Sequence, residues 1–190
     1  MVSITFVPLT ALWLPIVLSA VIVFVASSIL HMFLKYHQKD YRQLPNEEKV
    51  LDALRPLGLT RGLYTFPYTT HKDMKLPATI EKFKQGPVGF MSIFPSGQVN
   101  MGKFLGQWFG FCLVVSFFVA YLTGRTVAQG TIYLEVFRVA GTAAFLAYGV
   151  ANLSNGIWRG QPWGMVFKEL VDGLIYALLT AGTFGWLWPR

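Results

Sequence analysis

The sequence predicts an all-α membrane bundle, four transmembrane helices with a small α+β cytoplasmic insert between the first and second. Three observations carry this. Of the 190 residues, 54% are hydrophobic and only 13% are charged, where ordinary globular chains carry roughly 25% charged residues. With a mean hydropathy of +0.48, the chain lacks the polar surface of a water-soluble shape. The charge is also partitioned: Met1 to Leu34 holds no Asp, Glu, Lys or Arg, residues 35–103 are dense in charge, and the remainder is sparse again. Finally, the apolar stretches approach the length of about 20 residues that a helix needs to cross the hydrocarbon core.

The first span is residues 9–34, with a kink expected at Pro15. It does not read as a signal peptide, because it has no positive amino-terminal region and its apolar run exceeds the usual length of about 7 to 15 residues. The insert, residues 35–103, is long enough for a small module. NEEKVLDALRPLG reads as a short helix capped by Asn46, with Glu47 and Glu48 in its first turn and Val50, Leu51 and Leu54 on one face. Pro56 and Gly58 end it. LTRGLYTFPY reads as an aromatic-rich strand broken by Pro67, LPATIEKFKQG as a helix starting near Pro77, and GPVGFMSIFPSG as a short apolar strand. Two strands and two helices suggest a hairpin-based cap on the inner membrane face. The second, third and fourth spans are residues 104–123, 132–151 and 165–188.

Lys and Arg concentrate on the cytoplasmic side of membrane proteins. Thirteen lie in the insert, in the loop after span three or at the start of span four. Arg125 and Arg190 lie on the opposite side, with Arg138 inside span three. The expected location is therefore an inner, cytoplasmic membrane crossed several times, with both termini periplasmic. Trp13, Trp186, Trp188, Tyr121 and Tyr133 would belt the outer interface, and Trp108, Trp158 and Trp163 the inner one.

Small residues recur at every fourth position. Gly102, Gly106 and Gly110 do so into span two, and Gly173, Ala177, Ala181 and Gly185 along span four. Span three offers Ala140 and Ala144, with Ala143, Ala147 and Ala151 on a neighbouring face. Such stripes let helix backbones approach closely where lipid offers no hydrophobic drive. The favoured reading is an intramolecular bundle; a homo-oligomer is the other.

Four polar residues within the spans are the candidate functional positions. Glu135 and Arg138 lie three residues apart, about 6 Å and 10 Å into span three at helical rise. Arg138 can snorkel outward while paired with Glu135, an interfacial ion pair. The alternative is an ion or substrate contact facing a cavity. In span four, Lys168 and Asp172 share a face one turn apart, and Asp172 is the deepest acid on the inner side. His31 ends span one at a comparable depth, so a His31–Asp172 contact able to shuttle protons is geometrically open, alongside a satisfied interfacial histidine.

Other chemistry is not indicated. The single Cys112 allows no intramolecular disulfide and reads as a small buried apolar residue. His71 and Asp73 in HKDMK lack the further ligands that a metal site needs, so no metal is expected. Neither a nucleic-acid-binding pattern nor a cofactor motif occurs. The lipid bilayer is the expected partner, with an anionic lipid or a protein at the insert.

LPNEEKVLDALR, YTFPY, HKDMK, EKFKQGPVGFMSIFPSG, NMGKFLGQW, FRVAGTAAFLAYG and DGLIYALLTAGTFGWLWPR together resemble an uncharacterised family of small bacterial four-span inner-membrane proteins. The resemblance runs from about Leu44 onward. It implies bacterial origin and the four-span layout, and it transfers no catalytic residue. Three functions compete. The first is a non-enzymatic membrane module that docks a partner or lipid through the insert. The second is a small oligomeric transporter or channel subunit using Glu135, Arg138 and Asp172. The third is an enzyme acting on a lipidic substrate with His31 and Asp172. Convergence of the acids and His31 on one wet cavity favours the second or third; separate interfacial positions favour the first.

Overall fold

The computed structural model describes residues 6–190. The first five residues, and with them the amino terminus that the charge rule places outside, lie beyond the described part. The chain divides into two compact units. One is the bundle, running to Asp40, then Asn100–Ile157 and Gln161–Arg190; the other is the insert, Tyr41–Val99 with Trp158–Gly160.

Four long helices build the bundle: α1 (Trp13–Ser28), α4 (Met101–Thr126), α5 (Tyr133–Tyr148) and α7 (Trp163–Trp186). The insert and a short connector supply α2 (Glu47–Leu54), β1 (Gly62–Phe66), α3 (Pro77–Gln85), β2 (Gly89–Ile93) and α6 (Leu153–Trp158). Each long helix packs on two others, in the closed order α1, α4, α5, α7, and the α5–α7 pairing is the most extensive. The directions alternate. At one end the Val7 N–H bonds the Gly124 carbonyl at 3.0 Å and the Gly130 N–H bonds the Pro189 carbonyl at 2.9 Å. These bonds join the start of α1 to the end of α4, and the start of α5 to the end of α7. At the other end Trp108 Nε1 donates to Ser27 Oγ at 2.8 Å.

Three helical segments, Leu9–Phe33, Met101–Thr126 and Tyr133–Trp158, are long and apolar enough to cross a membrane. Four were expected. The 24 residues of α7 are long enough, but Lys168, Glu169 and Asp172 crowd its amino-terminal half.

Apolar and small side chains fill the bundle interior: Leu12, Val23, Val119, Val136, Ala140, Ala144 and Phe184 are fully or almost fully buried. Polar contacts cross it as well, among them Ser19 Oγ to Ser116 Oγ at 3.0 Å. The small-residue stripe of α7 lies in the interface. Ala177 and Ala181 are buried, and a methyl group added at Gly173 would lie 2.5 Å from the Gly149 backbone nitrogen. This close approach coincides with the end of α5, where the chain passes through the turn Val150–Asn152 into α6. At Gly185 an added methyl would meet the Tyr133 ring at 2.7 Å. The stripe on α4 behaves differently. Nothing lies within 4 Å of a Cβ at Gly106 or Gly110, and Gly102 has only Asn100 Oδ1 nearby, at 3.5 Å. Within the chain those glycines mediate no helix contact, because the helices that flank α4 lie on its other faces.

Three local expectations change. Pro15 does not kink a continuous helix. It sits in the first turn of α1, just after the 3₁₀ turn Leu9–Leu12, where a missing N–H costs little. Trp188 is buried and donates to the Ala128 carbonyl at 3.0 Å instead of joining an interfacial belt. Asn46 precedes α2 with left-handed backbone (φ 52°), and its side chain makes no cap bond.

In the insert, β1 and β2 pair antiparallel, Gly62 opposite Ile93 and Phe66 opposite Gly89. The 22 residues between them contain α3, so the antiparallel pair is joined by a long helical connection in place of a tight turn. None of residues 41–99 is buried.

Candidate functional site

The carboxy-terminal end of α1 departs from regular helix. Ser27 and Ser28 hydroxyls both donate to the Phe24 carbonyl, at 2.8 and 2.9 Å, and such back-bonding loosens a helical turn. A wider π-turn, Ile29–Phe33, follows, closed by the Leu34 N–H on the Ile29 carbonyl at 3.2 Å. Such turns are frequent at functional sites. Extended backbone at Leu34 and a 3₁₀ turn, Lys35–His37, then bring Tyr36, His37 and Asp40 back against the first half of α7. Residues 35–40, read from the sequence as the start of the insert, therefore belong to the bundle.

Six polar side chains meet there. His37 lies between two carboxylates, with Nδ1 2.6 Å from Asp40 Oδ2 and Nε2 2.8 Å from Asp172 Oδ2. Tyr36 Oη donates to the other oxygen of Asp172. His31 Nε2 stands 3.6 Å from Asp172 Oδ2, and its ring stacks on that of His37 with centroids 4.5 Å apart. Lys168 Nζ donates to the Tyr36 carbonyl at 2.6 Å and pairs with Asp40. It shares a face of α7 with Asp172 one turn on, but the reversal of the chain at Leu34 offers it Asp40 as partner. The two aspartate side chains are only 4% and 5% exposed, whereas that of His31 is 51% exposed. Both imidazole nitrogens of His37 face carboxylate oxygens. The Asp40–His37–Asp172 chain is therefore fully hydrogen-bonded only with a proton on each nitrogen or on one of the acids.

Asp40 titrates abnormally. Burial alone would push its carboxyl up, but hydrogen bonds from Lys168 and His37, and their charge, hold it below its ordinary value of 3.8. A depressed folded value stabilises the folded chain at pH above about 3.8 and ceases to do so as pH falls through the folded value. The melting-temperature gap between wild type and Asp40→Asn should accordingly close on acidification below about pH 4. Thermal unfolding scanned across pH checks this.

Asp172 and His31 also border a cavity of about 440 Å³, walled by Trp108, Phe111, Tyr148 and Tyr176 and completed by Ala147, Asn152 and Glu169. Two buried polar atoms among the described residues lack a hydrogen-bond partner, Glu169 Oε2 and Tyr176 Oη, and both belong to lining residues. The other Glu169 oxygen accepts from Gln161 Nε2 at 2.7 Å. A second cavity of about 430 Å³ shares His31 and Trp108 and is otherwise lined by Ser27, Ser28, Met32, Met101 and Leu105. It is the more apolar of the two. The two share His31 and Trp108 as lining residues: a chamber that carries the polar groups on largely apolar walls, the polar chamber, beside a still more apolar groove.

The sequence candidates separate accordingly. His31 and Asp172 come together on the polar chamber. Glu135 and Arg138 pair with each other at 2.7 Å on an exposed face of α5 and line neither cavity. Sequence reasoning missed Tyr36, His37 and Asp40. The signal was HMFLKYHQKD, two histidines and an acid within ten residues. On a regular helix, however, His31 and His37 would point about 120° apart and more than a turn and a half along the axis, and only the π-turn and the break at Leu34 turn them together.

No family model, curated protein or solved structure matches the chain.

Proposed function

We propose that the chain is a four-span bacterial inner-membrane protein whose bundle binds an amphiphile near the cytoplasmic interface. The head group occupies the polar chamber and the tail the adjoining groove. The observation that carries this reading is the junction of the two cavities at His31 and Trp108, one with acids and unpartnered polar atoms, the other apolar. Glu169 Oε2 is an acceptor without a partner, and aromatic rings line the same chamber. This suits a head group that donates hydrogen bonds, a hydroxyl or an ammonium, and the latter is also held over ring faces. Ligand sites are typically apolar concavities with a few placed polar groups.

For the membrane placement, α7 is about 36 Å long at helical rise, against a hydrocarbon core of about 30 Å. Its three charges lie within its first ten residues, towards the chamber end. The basic excess of residues 35–103 supports that end as cytoplasmic and both termini as periplasmic, and the family resemblance adds the bacterial setting. An oligomer is not required, since the chamber forms within one chain.

The test uses the orphan hydroxyl. Tyr176→Phe removes a buried group without a partner, so the ligand-free protein should unfold at an unchanged or higher temperature. The same variant, purified in native membrane patches, should lose most of one co-purified amphiphile, while Glu135→Gln keeps it. An identical small-molecule and lipid profile in wild type and Tyr176→Phe would overturn the reading.

A second reading, docking through the insert, is favoured by a separate observation. With no residue of 41–99 buried, Leu57, Leu63, Tyr68, Val88 and Phe90 remain exposed in a segment with eight basic and five acidic residues. Exposed apolar and basic residues together suit an anionic membrane surface.

A further inference from the structure

We propose that His31, His37 and Asp172 form a binding site for a divalent transition cation of the zinc type. Their donor atoms already lie within 4.8 Å of one another, with His37 Nε2 at 2.8 Å and His31 Nε2 at 3.6 Å from the same oxygen, Asp172 Oδ2. A tetrahedral zinc with bonds of about 2.0–2.1 Å sets its ligand atoms about 3.3 Å apart, between these values. Side-chain adjustment suffices, and the half-exposed His31 is free to make most of it.

The surroundings match what such a centre needs. Metal-bound histidines pass their other ring N–H to a carboxylate or carbonyl, which fixes the tautomer and raises ligand basicity. His37 does this through Nδ1 to the buried Asp40. Asp40 is in turn held by Lys168, and Tyr36 holds the oxygen of Asp172 that His37 does not use. Two neutral imidazoles and one carboxylate are a ligand set of the open type, which leaves a fourth position for water or another ligand. Here that position faces the polar chamber, since both His31 and Asp172 line it. Lys168 neutralises Asp40, so the carboxylate charge left for a cation is that of Asp172. The inference does not depend on what fills the cavities; metal content and co-purified amphiphile are read separately.

The test titrates the full chain, purified without an affinity tag in detergent and stripped with a chelator, with Zn²⁺ and with Co²⁺ as a spectroscopic probe. The expected result is one equivalent per chain, with the intense visible bands of a four-coordinate cobalt site. His31→Ala should weaken binding at least about tenfold, and Asp40→Asn, which touches no metal, about ten- to a hundredfold. His71→Ala, in the exposed loop of the insert, should change nothing. His31 is half exposed, so His31→Ala should melt close to wild type, checked by thermal unfolding, and that variant decides the matter even where His37→Ala fails to fold. Substoichiometric uptake, affinity unchanged in His31→Ala, or binding lost in His71→Ala would each overturn the assignment.

Discussion

Gly173→Ala unfolds the bundle or displaces α5 from α7. The added methyl would sit 2.5 Å from the Gly149 nitrogen and 2.6 Å from the Tyr148 carbonyl carbon. Those neighbours are backbone, which cannot rotate away as a side-chain tip would. Overpacking costs about 1–3 kcal/mol even where side chains can adapt, so the expected loss here is about 3 kcal/mol or more. Thermal unfolding in detergent reads it directly. Gly106→Ala and Gly110→Ala, with nothing within 4 Å of the new carbon, are the controls and should be neutral or slightly stabilising, since alanine favours helix over glycine by about 1 kcal/mol. Equal behaviour of the three variants would mean that α5 and α7 do not meet where described.

Asp172→Ala is the second large effect. It removes the acceptor of Tyr36 and one of the two carboxylates flanking His37, in a place where the aspartate side chain is 4% exposed. Deleting one member of a buried charged network leaves its partners without compensation and typically costs about 3–5 kcal/mol. His37 keeps Asp40, so the lower end of that range is expected. Asp172→Asn keeps an acceptor for Tyr36 but loses the charge facing His37, and should cost about 1.5–3 kcal/mol, the worth of a hydrogen bond to a charged group. Measured by chemical unfolding, the Asp172→Asn cost reports the carboxylate charge at constant volume, and the further loss in Asp172→Ala reports the side-chain volume and the remaining acceptor. Glu135→Gln provides scale: its pair with Arg138 is half exposed on both sides, and such pairs are worth about 0.2–1 kcal/mol.

Much of the architecture was legible because long apolar helices write themselves in composition, and three of the four expected spans have the length and apolarity to cross a membrane. An apolar run of the right length has few alternatives, and the stripe Gly173, Ala177, Ala181 announced a close helix contact. The strands and helices of the insert were legible from Pro and Gly punctuation. The site was legible only in part. Asp172 stood out as an acid at depth, and His31 as its neighbour, because both fall in apolar runs along which depth can be counted, although His31 itself lies in the π-turn that ends the first. Tyr36, His37 and Asp40 lie past a π-turn and an extended residue, where helical phase no longer predicts direction, and 128–136 residues from the α7 side chains they meet. The glycines of α4 show the converse. Their spacing is as regular as that of α7, yet spacing marks only where a backbone is accessible, and the neighbours of α4 lie on its other faces.

Labelling in native membranes with a photoreactive amphiphile, one carrying an amine-bearing head and a diazirine in its tail, tests the central claim most directly. The account predicts crosslinks concentrated in residues 27–32 and 101–108, which line the apolar groove, and their loss on competition with the unlabelled amphiphile. Crosslinks confined to residues 41–99, or spread evenly over the lipid-facing surfaces of all the long helices, would contradict it.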